Sequence, residues 1–158
     1  MKDYILEVCV DSVESALAAE RGGATRLELC ANLVIGGTTP GYPLFEQVKK
    51  ETGLPVRTLI RPRFGDFLYT QYEHRQMLQD IRHFAQAGAD GVVIGSLNAD
   101  GTLNTEQIQE MMEAAGSCAV TMHRAFDVCA DPFEALKKSA ELGVDTILTS
   151  GQEADCLA

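Results

Sequence analysis

Two Glu-x-Cys pairs stand near the start of the sequence, Glu7 with Cys9 in "LEVCV" and Glu28 with Cys30 in "LELCA". Two thiolates are the smallest set that suits a soft cation such as Cu(I), whereas zinc calls for two further ligands. Free cysteine also packs as a small buried hydrophobe, so the repeat reads equally as two strands that pack alike. The carboxylates are harder to place in a core, because a charge turned inward is costly unless paired or hydrogen-bonded. Cations are at hand: Arg61 and Arg63 in "LIRPRFGDFLY", followed by Asp66, and His123 and Arg124 in "TMHRAFD", followed by Asp127. Guanidinium forks in such a cluster suit a small anionic ligand, while His123, Glu28 and Asp127 are candidates for moving protons. An interior ion-pair network is the structural alternative.

These residues need elements to hold them. Asp11 with Glu14, Thr70 with Glu73, and Asp131-Pro132 with Glu134 each have the form of a helix start. Apolar residues then recur at helical spacing, as in Met77, Leu78, Ile81, Phe84 and Ala85, or Ile108, Met111, Met112 and Ala115. "GGATRLEL", "AGADGVVI" and "LGVDTILT" repeat one scheme, a helix-ending glycine, a polar residue and a strand. Strands are expected near 4–10, 25–31, 55–61, 90–96, 119–124 and 145–150, with helices near 12–21, 43–52, 71–87, 105–115 and 132–142.

Strict alternation implies parallel strands with right-handed crossovers. Leu6, Val8 and Val10 share one strand face, with Leu27 and Leu29 in the second strand, while Glu7, Cys9, Glu28 and Cys30 take the other. An apolar outer face under helices and a polar inner face fit a TIM (β/α)8-type barrel better than an open doubly wound sheet. Such a barrel takes about 250 residues. The 158 residues here amount to a single partial barrel domain, 1–158, truncated after about six β/α units, with edges that favour self-association.

Composition narrows the function. A hydrophobic share of 46% supports a real core, and a net charge of −10 without a basic cluster speaks against nucleic acid or an anionic membrane as partner. Five cysteines, an odd number, fit reduced thiols in the cytoplasm, and "MKDYILEVCVDSVES" lacks the pattern of a secretory signal. "IGGTTPGY" lacks the spacing of a nucleotide loop, so its glycines serve a turn or let the backbone approach a ligand. "TSGQ" has the look of a phosphate-holding loop of some barrels.

In order along the chain, "LEVC", "RLELCANLVIGGTTPGY", "IRPRFGDFLY", "DGVVIGSLNADGT", "HRAFD" with "DPFEAL", and "GVDTILTSGQ" resemble the motifs of the copper homeostasis protein CutC family. The resemblance covers nearly the whole chain. It implies a TIM-barrel fold, a cytoplasmic location, homo-oligomers and a part in copper homeostasis through Cu(I). It also implies copper ligands at Cys9 and Cys30, and a polar barrel mouth at Glu7, Glu28, Asn32, Arg61, Arg63, Asp66, His123, Arg124 and Asp127. Members of that family usually continue through a seventh and an eighth strand. The expectation is therefore a cytoplasmic copper-homeostasis protein. The alternative is a barrel enzyme that holds a small anionic substrate with its Arg/His/Glu cluster.

Overall fold

The computed structural model describes residues 4–153. Six strands, β1 (Glu7–Val10), β2 (Arg26–Leu29), β3 (Val56–Leu59), β4 (Gly91–Ile94), β5 (Ala119–Met122) and β6 (Thr146–Ile147), pair in sequence order. Every pairing is parallel. Five helices connect them: α1 (Val13–Arg21), α2 (Tyr42–Glu51), α3 (Gln71–Gln86), α4 (Thr105–Ala115) and α5 (Pro132–Leu142). The result is a half-barrel of TIM type. Strands β2 to β6 stop short of the expected spans, their last expected residues running on into the mouth loops, while β1 ends as expected and begins only at Glu7.

Alternation along the strands separates two environments. Leu27, Leu29, Val56, Val92, Ile94, Val120 and Met122 face outward and are buried under Phe45, Val48, Met77, Ile81, Phe84, Ile108 and Met111 of the helices. On α3 the buried positions 74, 77, 81 and 84 follow the helical period, which seats that helix on the sheet. The inner face carries a second, small apolar cluster of Cys30, Leu59 and Val93, with Leu33 against it.

Local signals place the helices. Thr70 and Glu73 form the expected reciprocal cap of α3, and Asp131 caps α5 by accepting from the Phe133 and Glu134 N–H groups. At α1 the cap is Ser12 rather than Asp11, with Ser15 completing the box, because the helix begins one residue later than expected. Gly23, Gly88 and Gly143 lie at positive φ just past α1, α3 and α5, as the repeated junction required.

At the N-terminal ends of the strands the barrel floor is charged. Glu7 pairs with Arg26 across the β1–β2 ladder. Arg57, 7% exposed, crosses the inside to donate to the hydroxyls of Thr121 and Thr146 on β5 and β6. It can cross because the residue beneath it on β4 is Gly91, whose missing side chain leaves room for the Arg57 stem. Among the described residues no helix is long and apolar enough to cross a membrane.

Candidate functional site

At the C-terminal ends of the strands lies a cavity of about 450 Å³, within the usual size range of ligand pockets. Cys9, Glu28, Cys30, Arg61, His123, Arg124 and Asp127 line it, together with an apolar wall that includes Leu33, Leu59, Phe67 and Val128. The barrel rule places function at this face, since the loops after the strands are free to vary there.

The ladder sets Cys9 opposite Glu28, so Cys30 lies further along its strand. Even so, both cysteines line the same cavity. Cys9 is exposed and Cys30 is buried, 1% accessible. The hydrogen bond with Cys9, burial and the nearby Glu28 carboxyl all raise the Cys30 thiol above its ordinary pKa. Cys30 Sγ also lies 3.6 Å from Glu28 Oε1. Glu28 Oε2 is buried without a partner among the described residues. Burial first, and then the charge of Glu7, push the Glu28 carboxyl up to about 7. The folded chain thus keeps a proton that the unfolded chain releases above about 4.5, so this group lowers stability as pH rises from there through about 7. Carbon NMR of the Glu28 carboxyl is expected to show a midpoint near 7 that falls in Glu7→Gln. A midpoint near 4.5 in the parent would refute this.

His123 follows β5 and is 5% exposed. Its Nδ1 accepts from the Ala125 N–H at 3.1 Å, so in the neutral ring the proton sits on Nε2. Burial, and then the charge of Arg61, hold its pKa down at about 3, which keeps the ring neutral. Nε2 has no partner among the described residues. The ring stacks at a tilt on Phe67, 4.7 Å between centres, and the Arg61 guanidinium lies 4.9 Å from the centre of the same Phe67 ring. Space for His123 comes from Gly95, where a Cβ would sit 2.4 Å from His123 Cε1. Arg61, 8% exposed, donates to the carbonyls of Gly36, Gly37 and Gly65, and its Nε is left without a partner among the described residues. Gly36 and Gly37 adopt positive φ, and their carbonyls are turned to Arg61.

Other expected members stand apart from the cavity. Glu7 is in the floor with Arg26. Arg63 is tied to Glu73 at 2.5 Å and to Asp66 at 2.9 Å, so both Arg63 and Asp66 brace the loop after β3. Arg61 and Arg63 both follow the end of β3, where alternation no longer sets a side chain's direction. Asn32 takes a left-handed conformation and donates to Thr38, shaping the loop after β2. Arg124 and Asp127 line the cavity yet bind each other at 2.6 Å. Asp127 also accepts from the Thr149 hydroxyl at 2.5 Å and from the Ser150 and Gln152 N–H groups. Its burial opposes the charge, but the Thr149, Arg124, Ser150 and Gln152 donors prevail and hold its pKa at about 2. The "TSGQ" amides are therefore engaged by an internal carboxylate. Arg26, Arg57 and Phe67 were missed in the sequence. Arg57 was within reach, since it shares the inward parity of Leu59 on β3.

Comparison with known proteins matches residues 4–158 to the CutC family. A relative named CutC from Bacteroides thetaiotaomicron is 52% identical over 155 residues, 98% of this chain and 62% of the relative. One from Salmonella typhi is 49% identical over 151 residues, 96% of this chain and 58% of its own length. The chain thus spans about three-fifths of the curated relatives it matches. A crystal structure described as a copper homeostasis protein CutC from Streptococcus agalactiae superposes with TM-score 0.89 at 32% identity, covering 96% of this chain and 75% of that one. An archaeal fructose 1,6-bisphosphate aldolase, at TM-score 0.58 and 20% identity over 92% of this chain and 57% of its own, shares the fold alone.

Proposed function

The chain belongs to the CutC family, and from that premise we propose that it serves copper homeostasis by holding Cu(I) between Cys9 and Cys30. The observation that supports the reading is that both cysteines line one cavity, Cys9 exposed for entry and Cys30 buried as an anchor. Cu(I) accepts two soft ligands, and among the described residues no group of three or more His, Cys, Asp or Glu side chains is placed to hold a metal. The reading sets the protein in the cytoplasm, where thiols stay reduced, as an assembly of like chains. Copper must displace the protons of its thiols on binding.

The test is an anaerobic Cu(I) titration against a chromophoric competitor. The parent is expected to take up about one copper per chain, and Cys9→Ala with Cys30→Ala to lose at least tenfold in affinity, about 1.4 kcal/mol. Equal affinity in the folded double variant would sink the assignment.

A second reading has its own support: three buried polar atoms, Glu28 Oε2, His123 Nε2 and Arg61 Nε, belong to cavity-lining residues and lack partners among the described residues. Buried polar groups in a native fold normally find partners. In this reading the chain is part of a barrel enzyme. A small anionic substrate meets Arg61 and His123, and Glu28 serves as general acid or base. Glu28→Gln abolishing turnover of a substrate bound with unchanged affinity is the expected result. Unchanged turnover would exclude Glu28 from the chemistry.

A further inference from the structure

We propose that the cavity binds an uncharged bicyclic aromatic ligand, held by the apolar side chains of Leu33, Phe67, Val128 and Leu148. The proposal goes beyond both readings of the function and holds whether or not the thiols take Cu(I). The ionisable side chains of the lining are matched within the fold. Arg124 binds Asp127 at 2.6 Å, and Asp127 takes further donors from the loop after β6. Arg61 gives its terminal N–H groups to the carbonyls of Gly36, Gly37 and Gly65 and lies 4.9 Å from the centre of the Phe67 ring. Glu28 Oε1 lies 3.6 Å from the Cys30 thiol, and His123 Nδ1 is taken by the Ala125 N–H. The atoms that these residues leave unpartnered, Glu28 Oε2, Arg61 Nε and His123 Nε2, are buried, so a ligand reaches them only if the wall moves. The wall as it stands is mostly apolar, with Leu59 and the two cysteines completing it. A charged ligand would give up its hydration there without gaining a partner.

The mouth carries the same character. Arg61 holds the Gly36 and Gly65 carbonyls on one guanidinium, which brings the loops after β2 and β3 side by side. Next to those glycines stand Ile35, 47% exposed, and Phe64, 66% exposed, and Val128 on the loop after β5 is 62% exposed. Apolar side chains grouped in water around one opening mark a binding surface. Size then sets the ligand. A dry apolar cavity of roughly 150 Å³ is enough for benzene, and this one measures about 450 Å³. A bicyclic ring therefore fits. Phe67 offers it an aromatic surface, and a rigid ring gives up less conformational freedom on binding than a flexible chain.

Indole is the probe. The chain has no tryptophan, so indole fluorescence is read without a background of the same chromophore. Titration of the metal-free chain is expected to give saturable binding with a blue shift of the indole emission. Val128→Asp and Leu148→Asp put a charge at exposed positions of the lining, and each is expected to weaken indole about tenfold or more. Phe133→Asp, at an exposed apolar position on α5 outside the cavity, is expected to bind as the parent does. Indole-3-carboxylate, a charged form of the same ring, is expected to bind about tenfold more weakly than indole. No saturable indole binding would overturn the proposal. Equal binding by the parent and both lining variants, each shown to be folded by circular dichroism, would place indole elsewhere and overturn it as well. Weakening by Phe133→Asp as large as that by the lining variants would show non-specific adsorption, with the same consequence. Indole-3-carboxylate bound as tightly as indole, or more tightly, would overturn the uncharged class and favour an anion.

Discussion

Replacing Gly91 with alanine is expected to destabilise the fold by about 3 kcal/mol, at the upper end of overpacking costs. The new Cβ would sit 2.7 Å from the carbonyl oxygen of Ala119 on the adjacent strand, and 3.0 and 3.2 Å from Cγ and Cδ of Arg57. The Arg57 stem can swing away, but the carbonyl belongs to the β4–β5 ladder and can move only with the strand. If Arg57 swings, it leaves the Thr121 and Thr146 hydroxyls that it holds, and β6 loses a tie to the barrel interior. Urea unfolding followed by circular dichroism measures this. A midpoint shift worth less than about 0.5 kcal/mol would show that the inner face is looser than these distances require.

Asp127→Ala is expected to cost a similar amount, about 3 kcal/mol, by removing a carboxylate that accepts from several donors at once. Its side chain is 5% exposed, and its loss strands the Ser150 and Gln152 amides while leaving Arg124 unpaired. The pH dependence has a definite sign. The folded pKa, about 2, lies below the ordinary 3.8, so the unfolded chain binds the extra proton as the solution is acidified. The stabilisation is complete above about 4 and is lost as pH falls from there towards 2. The parent should lose this contribution over that interval, and Asp127→Asn should flatten that part of the profile. Hydrogen exchange at Ser150 and Gln152 should quicken in both variants. Parental exchange rates in Asp127→Ala would show that the loop holds itself.

The order of elements was legible because each β/α unit carries its own punctuation. Thr70 with Glu73, Asp131 with Pro132, and Gly88 and Gly143 act locally, and no distant contact overrides them. Strand faces were legible too, since parity alone sends Glu28 and Cys30 inward and Leu27 and Leu29 outward. Legibility ended where strands did. Nothing in "RPRFGD" says that Arg61 turns to three backbone carbonyls while Arg63 turns to Glu73, because that division depends on loop paths set by Gly36, Gly37 and Gly65. Asp127 also reads as a catalytic carboxylate in sequence. Apart from Arg124, its donors lie more than twenty residues onward, so only the fold reveals that they surround it.

Sequential strand order also bears on how the chain assembles. Each strand finds its neighbour in the next unit, so every pairing closes a loop of one crossover and none waits for a distant segment. The entropy of closing such loops grows only slowly with their length, so the successive steps meet similar barriers. During synthesis β1 can begin to pair once β2 has emerged, and each later unit adds to an edge already formed. The growing edge is for that interval an unpaired parallel strand, and the fold's kinetic exposure to misassociation travels along it until the next unit docks.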